Sequence, residues 1–342
     1  MSNSAAGSPR LLLAVSFGTS FADTREKTIG AIEKCIEKRH PDCTVRRCFT
    51  SRFSRKKLQE RDGLYIAGPE DAIRDAKEKG IRDLYVQPLY LMHGTEHRRL
   101  MELLKEAEPF FDRISVGKPL LFDDSDFKII ADAILHHLPV QTEDTAVVLM
   151  GHGNEKRKKT VGRNQKITDP KFPDSEKIPE SEKIPDSEKI PDSNFPETQK
   201  VPDPKFPDST DAFSNSPDSK KAEESAAKQK RYIEDNAVFG ILQDTLRKNG
   251  ADNYFIATVE GEPELEDILP QICGRGFKKV ILAPFMVVSG DHARNDLAGD
   301  REDSWKSIFQ RKGFEVETVL CGIGEWEEVQ ELFAAHAGIC LN

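Results

Sequence analysis

Two distant parts of the chain carry the same residue pattern, and this internal repeat is the strongest constraint on the fold. The stretch GIRDLYVQPLYLMHGTE, from Gly80, matches GFKKVILAPFMVVSGDH, from Gly276, at a constant offset of 196 residues. A second match, between LLLAVSFGTS from Leu11 and AVVLMGHGNE from Ala146, has an offset of 135 residues. The sequence therefore predicts a duplicated unit whose second copy is interrupted between the two matches.

Both copies predict an α/β fold. Each follows the order strand, helix, strand, helix, strand, helix, with nearly continuous apolar strands and helices that have one apolar face. Such strands are typical of parallel sheets covered by helices on both faces. In the second copy we predict helices over 235–248, 264–273 and 291–312. We expect two parallel-sheet halves that enclose a cleft.

A proline-rich segment interrupts the second copy at 156–230. It holds half of the chain's 20 prolines, and its centre, SEKIPE-SEKIPD-SEKIPD, has a period of six. Regular prolines stop a helix, and one Ile per repeat buries too little surface to offset the entropy of ordering, so we expect a disordered insert. A β-helix is the alternative that this period leaves open. With a disordered leader at 1–10, the insert divides the chain into an N-terminal half at 11–140 and a C-terminal half formed by 141–155 and 231–342.

Charge and motif content exclude several classes of function. The chain has 50 basic and 59 acidic residues, and the stretch from Glu155 to Lys230 has equal numbers of each, so a nucleic-acid partner is disfavoured. The 6 cysteines form no C-x-x-C pair, which argues against a zinc ribbon, an iron–sulfur cluster or a disulfide scaffold. Neither a signal peptide nor a long apolar run is present, so we expect a cytoplasmic protein without a membrane span. G-x-G-x-x-G, the P-loop and G-x-S-x-G motifs are all absent, which indicates no bound dinucleotide, ATP or hydrolase nucleophile.

Three possible metal ligands follow three predicted strands of the second copy. His152 comes directly after AVVLMG, Glu260 ends YFIATVE, and His292 follows KVILAPFMVVSGD. Because ligands of open parallel sheets bind beyond the carboxyl ends of the strands, we expect these side chains to converge. Two imidazoles and a carboxylate form an incomplete shell that suits cobalt, iron, nickel or zinc and leaves positions open for exchange.

Other polar residues of these loops have competing interpretations. Glu96 takes in the first copy the place of His292, either as a cleft carboxylate that accepts protons or relays a cation, or as an ordinary first-turn helix acid. The loop from Ser16 to Ser20 offers amides and hydroxyls to a carboxylate. The remaining histidines are weaker candidates. His93 and His97 flank Glu96. The other four, His40, His136, His137 and His336, are expected at helix ends or on the surface.

Several motifs together resemble a known enzyme family. LLLAVSFGTSFADT, FTSRFSRKKLQERDG, GKPLL, MGHG, VEGEPE and SGDHARNDLAGDREDSWK are similar to the anaerobic sirohydrochlorin cobaltochelatases, ATP-independent class II chelatases. The similarity runs from about Leu11 to His336 apart from the insert. It implies two Rossmann-like halves around a tetrapyrrole cleft, as in ferrochelatases. It also implies a lyase-type enzyme that inserts Co(II) into sirohydrochlorin, releasing two protons, in anaerobic cobalamin biosynthesis. Co(II) is then a substrate, and no further cofactor is expected.

The resemblance also implies roles for individual residues. His152 would be metal ligand and proton acceptor, Glu260 and His292 metal ligands, and Glu96 a catalytic cleft carboxylate. This agrees with the chemistry, since metallation needs a neutral base near the ring and a loosely held metal. The acidic tetrapyrrole needs local polar partners. The candidates for that contact are Ser16, Gly18, Thr19, Arg52 and Arg294, and after them Arg55, Lys56 and Arg98.

Two other functions remain open from the sequence. The same ligand shell suits iron or nickel, so a chelatase for those metals on a related tetrapyrrole is one alternative. A non-catalytic tetrapyrrole or metal carrier is the other. The sequence does not decide whether the chain forms a homo-oligomer or whether the insert has a partner.

Overall fold

The computed structural model describes residues 10–140, 142–154 and 235–341. The predicted insert, and the predicted leader apart from Arg10, lie outside the described residues. Within them the chain is an α/β protein with two four-stranded parallel sheets, as predicted. No helix in this part of the chain is both long and apolar enough to cross a membrane.

The first sheet and its helices come from the N-terminal half. Its strands are β1 (Arg10–Ser16), β2 (Cys43–Phe49), β3 (Asp83–Pro88) and β4 (Arg113–Val116). Helix α1 has three consecutive parts, Ala22–Arg25, a π-helical turn Glu26–Gly30, and Ala31–Arg39. The other helices are α2 (Arg52–Asp62), α3 (Pro69–Glu78), α4 (Thr95–Ala107) and α5 (Asp124–His137).

The second sheet follows the same plan. Its strands are β5 (Thr145–Gly151), β6 (Tyr254–Thr258), β7 (Lys279–Pro284) and β8 (Glu315–Thr318). The helices are α6 (235–248), α7 (Leu265–Gly274), α8 (Trp305–Arg311) and α9 (Glu327–Leu341). A π-helical turn, Ala293–Leu297, precedes α8.

Strand order shows that the two halves are topological copies. The first sheet has the order β2-β1-β3-β4 and the second β6-β5-β7-β8, so each strand has a counterpart in the same position. The sequence pattern predicted three strands per copy and missed β4 and β8. Both are four residues long. The side chains of β4 are mostly half-buried, and those of β8 alternate between exposed and half-buried, so neither strand has the apolar run that marks a buried strand.

The single long helix predicted over 291–312 is wrong. The chain instead forms the π-helical turn Ala293–Leu297, a non-helical stretch, and then α8. A Cβ atom on Gly299 would lie 2.3 Å from the carbonyl oxygen of Asn295, so the backbone closes there in a way that only glycine permits. Ser304 starts α8 as its N-cap, because its hydroxyl accepts a hydrogen bond from the amide of Ser307 at 3.1 Å.

Both faces of each sheet are buried, which explains the continuous apolar strands. On β1, Leu12 and Ala14 face a large core shared by both halves, while Leu13 and Val15 face a separate core under α3 and α4. Alternate residues of β5 divide in the same way between the shared core and a core under α7 and α8. Helix α1 contributes its predicted apolar face to the shared core, through the fully buried Ile29, Ile32 and Ile36.

The last helix of each half packs toward the other half. Helix α9, at the end of the second half, contacts α1, β3 and β4 of the first. Its residue Leu341 accepts a hydrogen bond from Arg10 of β1 at 2.6 Å. Conversely, Tyr254 of β6 donates its hydroxyl hydrogen bond, at 2.6 Å, to the carbonyl of Leu138 at the end of α5. Helices α5 and α9, which also contact each other, therefore join the two halves.

Candidate metal centre

Glycines bring two loops at the end of the second sheet into close contact. Gly153 has a φ of +76°, and a Cβ atom there would lie 2.6 Å from the amide nitrogen of Gly261. On the other side of His152, a Cβ atom on Gly151 would meet the ring of Phe239 at 2.5 Å. The backbone of His152 can therefore approach that of Glu260, whose amide donates to the His152 carbonyl at 2.9 Å.

The structure brings His152, Glu260 and His292 together. One possible ligand atom from each lies within 4.8 Å of the other two. His152 Nε2 is 3.8 Å from a carboxylate oxygen of Glu260, and the rings of His152 and His292 have centroids 4.9 Å apart and are nearly perpendicular. The three come from the loops after β5, β6 and β7, which is the convergence that the sequence predicted.

Hydrogen bonds orient both imidazoles toward the cluster. His152 Nδ1 lies 2.9 Å from the carbonyl oxygen of Gly153, and His292 Nδ1 lies 2.6 Å from a carboxylate oxygen of Asp296. In the neutral imidazole, an N–H at Nδ1 that faces each of these acceptors leaves Nε2 as the atom that can bind a metal. Asp296 was missed by the sequence analysis. Its spacing of four residues from His292, within a helical turn, was the available signal.

The cluster is open to solvent. The side chains of His152, Glu260 and His292 are 49%, 39% and 35% exposed. A metal held by these three ligands would keep coordination positions free on the exposed side. A cavity of about 290 Å³ beside Trp326 has none of these residues in its lining, so the centre is an open edge rather than part of that chamber.

The carboxyl edges of the two sheets face each other around this centre. Asn154, two residues after His152, accepts a hydrogen bond at 3.4 Å from the amide of Thr95, the first residue of α4. Arg294, two residues after His292, lies 3.5 Å from the hydroxyl of Thr24 in α1. These contacts link loops that follow β5 and β7 to helices that follow β3 and β1, so the site lies where the two halves meet.

Glu96 is not part of the three-ligand cluster. It lies in the first turn of α4, and its carboxylate accepts a hydrogen bond from Arg99 at 2.8 Å. Its neighbours His93 and His97 form a pair whose Nδ1 atoms are 3.2 Å apart. Burial lowers the pKa of His97 to about 4, and the neighbouring charges of His93 and Arg98 act in the same direction. Burial also lowers the pKa of His93.

The candidate substrate contacts divide into two groups. Ser16 and Thr19 are 2% and 5% exposed, and the Thr19 hydroxyl accepts a hydrogen bond from the amide of Phe21. Gly18 has a φ of +90° and packs on the ring of Phe49, so these loop residues present backbone rather than side chains. The arginines are more accessible: the Arg294 side chain is 43% exposed although it contacts the ring of Phe21, and Arg52 is exposed at the start of α2.

The secondary candidates, like Arg294 with Asp23 at 3.9 Å, have acidic partners. Lys56 pairs with Glu60 at 3.7 Å, Arg55 with Asp71 at 3.6 Å, and Arg98 with Asp235. None of these three cations is therefore unpaired beside the cluster.

One of the histidines expected on the surface is buried. His336 is 4% exposed in the middle of α9, with Nε2 3.5 Å from a carboxylate oxygen of Asp126 in α5. The expectation was wrong because α9 is covered on this face by α5, a contact between the halves that helical periodicity does not reveal. His136 and His137 do lie at a helix end, the last two residues of α5.

Fold and site together define an α/β protein with an open cluster of three candidate metal ligands where the edges of two duplicated parallel sheets meet. The sequence profile of the family "Cobalt chelatase (CbiK)" matches residues 10–174 and 231–340. The chain belongs to this cobalt chelatase family.

Curated relatives and solved structures are similar over nearly the whole chain. The chain is 27% identical to the sirohydrochlorin cobaltochelatase of Salmonella typhimurium over 333 residues, 97% of each protein. It is 24% identical to the sirohydrochlorin cobaltochelatase CbiKC of Nitratidesulfovibrio vulgaris, over 91% of this chain and 83% of the relative. The solved structure of SirB from Bacillus subtilis with Fe3+ aligns with a TM-score of 0.49 and 14% identity, covering 96% of this chain and 94% of that one.

Proposed function

We propose that this protein inserts Co(II) into sirohydrochlorin, with release of two protons, as a sirohydrochlorin cobaltochelatase. The observation that carries the proposal is the convergence of His152, Glu260 and His292, two imidazoles with Nε2 available and one carboxylate, at an exposed edge. Membership of the cobalt chelatase family and the names of the two relatives support the choice of metal and ring.

The ligand set suits a metal that must be taken up and then released. Three protein ligands leave coordination positions open, so nitrogen atoms of the ring can replace protein ligands one at a time. The side chains are 35–49% exposed, and a partly hydrated ion is therefore accessible to a large planar substrate. Asp296 and the Gly153 carbonyl keep both Nε2 atoms aimed at the ion throughout this exchange.

The two protons of the ring need acceptors as the metal enters. When the metal moves to the ring, the Nε2 atom of His152 loses its bond to the ion and can accept one N–H proton. Glu96, on the first half's edge, is our candidate for the second proton. Its carboxylate is 31% exposed and held by Arg99, so it is both accessible and fixed in position.

The substrate's carboxylates would be bound by cations and backbone amides around the centre. Arg294 is 43% exposed and extends from the His292 turn to Thr24, so it can bind a ring carboxylate between the two halves. Arg52 lies at the start of α2 on the first half's edge. The backbone of the loop that contains Ser16, Gly18 and Thr19 adds amide donors.

A metallation assay tests the proposal directly. Purified protein is mixed with sirohydrochlorin and Co(II), Fe(II) or Ni(II), and the change in absorbance of the ring is followed against protein-free mixtures. We expect accelerated insertion of Co(II) and loss of that acceleration in His152→Ala. Faster insertion of Fe(II) or Ni(II) would favour a chelatase for that metal, and ring binding without accelerated metallation would favour a carrier.

A further inference from the structure

A second cluster of possible metal ligands lies where α5 meets α9. His136 Nδ1 and His137 Nε2, at the end of α5, are 3.1 Å and 3.0 Å from the two carboxylate oxygens of Glu328, in the first turn of α9. The three residues satisfy the same criterion as the open centre, with ligand atoms within 4.8 Å of one another. They share no residue with that centre.

The spacing of these atoms suits a tetrahedral ion. Two ligand atoms bound to Zn²⁺ at its usual bond lengths are about 3.4 Å apart, so the observed nitrogen–oxygen separations require only a small outward shift. In the open centre the corresponding separation between His152 and Glu260 is 3.8 Å. Both clusters therefore bring two imidazole nitrogens and a carboxylate within the range that one ion can span.

Neighbouring side chains fix one ligand and leave another accessible. The ring of His137 stacks on Trp326 with centroids 4.7 Å apart and an angle of 5° between the planes. Trp326 is 5% exposed, so this stack holds His137 against a rigid part of the core. His136 is 72% exposed, which gives an ion from solvent a direct approach. The arrangement combines a fixed ligand with an open entrance.

We propose that His136, His137 and Glu328 bind one divalent transition-metal ion of the Zn(II) or Co(II) type. Neutral imidazoles can coordinate through the atoms that now face the carboxylate, once each ring carries its proton on the other nitrogen. The ion would link α5 to α9, the helices that join the two halves. It stabilises the folded chain because the unfolded chain does not hold the three ligands together.

Zn(II) stoichiometry in untagged full-length protein tests this proposal. The eight histidines and six cysteines of the chain all lie within the described residues, so every imidazole or thiolate ligand is accounted for. Zn(II) is titrated in competition with a chromophoric chelator that suppresses weak carboxylate sites. We expect two equivalents for the unmodified chain, one for His152→Ala, and none when His136→Gln and His137→Gln are added. Zn(II) should also raise the melting temperature of His152→Ala.

A matched pair of substitutions distinguishes coordination from altered folding. Glu328→Gln removes the anionic ligand, whereas Glu327→Gln changes the adjacent acid of the same helical turn. In the His152→Ala background we expect Glu328→Gln to weaken Zn(II) binding at least about tenfold and Glu327→Gln to leave it unchanged. Equal affinity in these two variants, or no Zn(II) binding by His152→Ala alone, would overturn the proposal.

Discussion

The carboxyl edges of the two sheets have the same backbone but different side chains. In the first half the amide of Ser51 donates to the carbonyl of Phe17 at 3.1 Å, and in the second the amide of Glu260 donates to that of His152 at 2.9 Å. The glycines that follow, Gly18 and Gly153, both have positive φ. By strand register and repeat, Phe17, Ser51 and Glu96 thus occupy the places of His152, Glu260 and His292.

This comparison shows that the duplicated fold supplies positions for ligands but not the ligands themselves. One edge carries three side chains that could bind a metal, while the other carries an aromatic ring, a helix cap and one acid. Of the histidines that the first half does have near its edge, His93 is exposed and His97 is buried, and their Nδ1 atoms face each other at 3.2 Å. A pair of unequal edges suits a reaction in which one side holds the metal and the other receives the ring.

The largest effect should come from giving the second edge the first edge's residue. His152→Phe removes a ligand and the proposed base, so we expect the Co(II) insertion rate to fall by roughly 10²- to 10⁴-fold. At the corresponding position of the first half, Phe17→Ala should change the rate less than about tenfold. Both variants should melt near the parent temperature, since His152 is half exposed and Phe17 is 57% exposed. Comparable rate losses at the two positions would show that the edges are functionally alike.

A pH effect on stability should arise from the first edge. The folded-state pKa of His97 is about 4 and its ordinary value 6.5, so the unfolded chain binds the proton more readily. The contribution of His97 to the free energy of unfolding should therefore not change with pH above 6.5. It should fall by up to about 3 kcal/mol as the pH decreases from 6.5 toward 4.

Urea denaturation at several pH values measures this dependence. His97→Ala introduces the residue that the repeat has at Ala293, and it should reduce the slope of stability against pH between 4 and 6.5. An unchanged slope in this variant would show that His97 is protonated equally in the folded and unfolded chains.

A smaller loss is expected from Asp296, the partner of His292. Asp296→Asn weakens the hydrogen bond that keeps the proton on Nδ1, and partners of this kind are worth about 10- to 100-fold in metal affinity or activity. The apparent KM for Co(II) should rise and the pH profile of the rate should shift. Asp303→Asn, at an exposed acid paired with Arg301, is the control and should leave both unchanged. No difference between the variants would remove Asp296 from the site.

The smallest effect should come from deleting most of the residues between the described ends of the second half, so that its sequence resembles the first half in length. The chain leaves the second edge at Asn154 and returns at Asp235 and Asn236, and Asn154 is hydrogen-bonded to both, at 2.8 Å and 3.1 Å. Because the described ends are already joined, deletion of residues 157–228 should change the metallation rate less than about twofold. A large loss of rate at unchanged melting temperature would assign the deleted residues a part in the reaction.

The elements that local patterns specify could be predicted from the sequence. The candidate ligands His152, Glu260 and His292 follow apolar runs that also mark β5, β6 and β7, and topology then brings them to one edge. The repeat in the sequence likewise anticipated the matching sheets. The local sequence was sufficient here because a strand that is buried on both faces consists of consecutive apolar residues.

Features that depend on contacts between the halves could not be predicted. The burial of His336 and the meeting of α5 with α9 depend on partners more than a hundred residues away, which no helical period encodes. The short edge strands β4 and β8 have too few buried residues to form a pattern. Asp296 is intermediate, since its spacing from His292 was visible but its contact depended on where the helix after His292 would break.

The contacts of α9 with the first half also have a consequence for the chain during its synthesis. The first sheet is made early, yet the helix that covers part of one face is the last element of the described chain. During translation this part of the sheet stays exposed until residues 327–341 have left the ribosome. A chain that ends before residue 327 would therefore leave part of the amino-terminal sheet uncovered, although the missing residues belong to the other half.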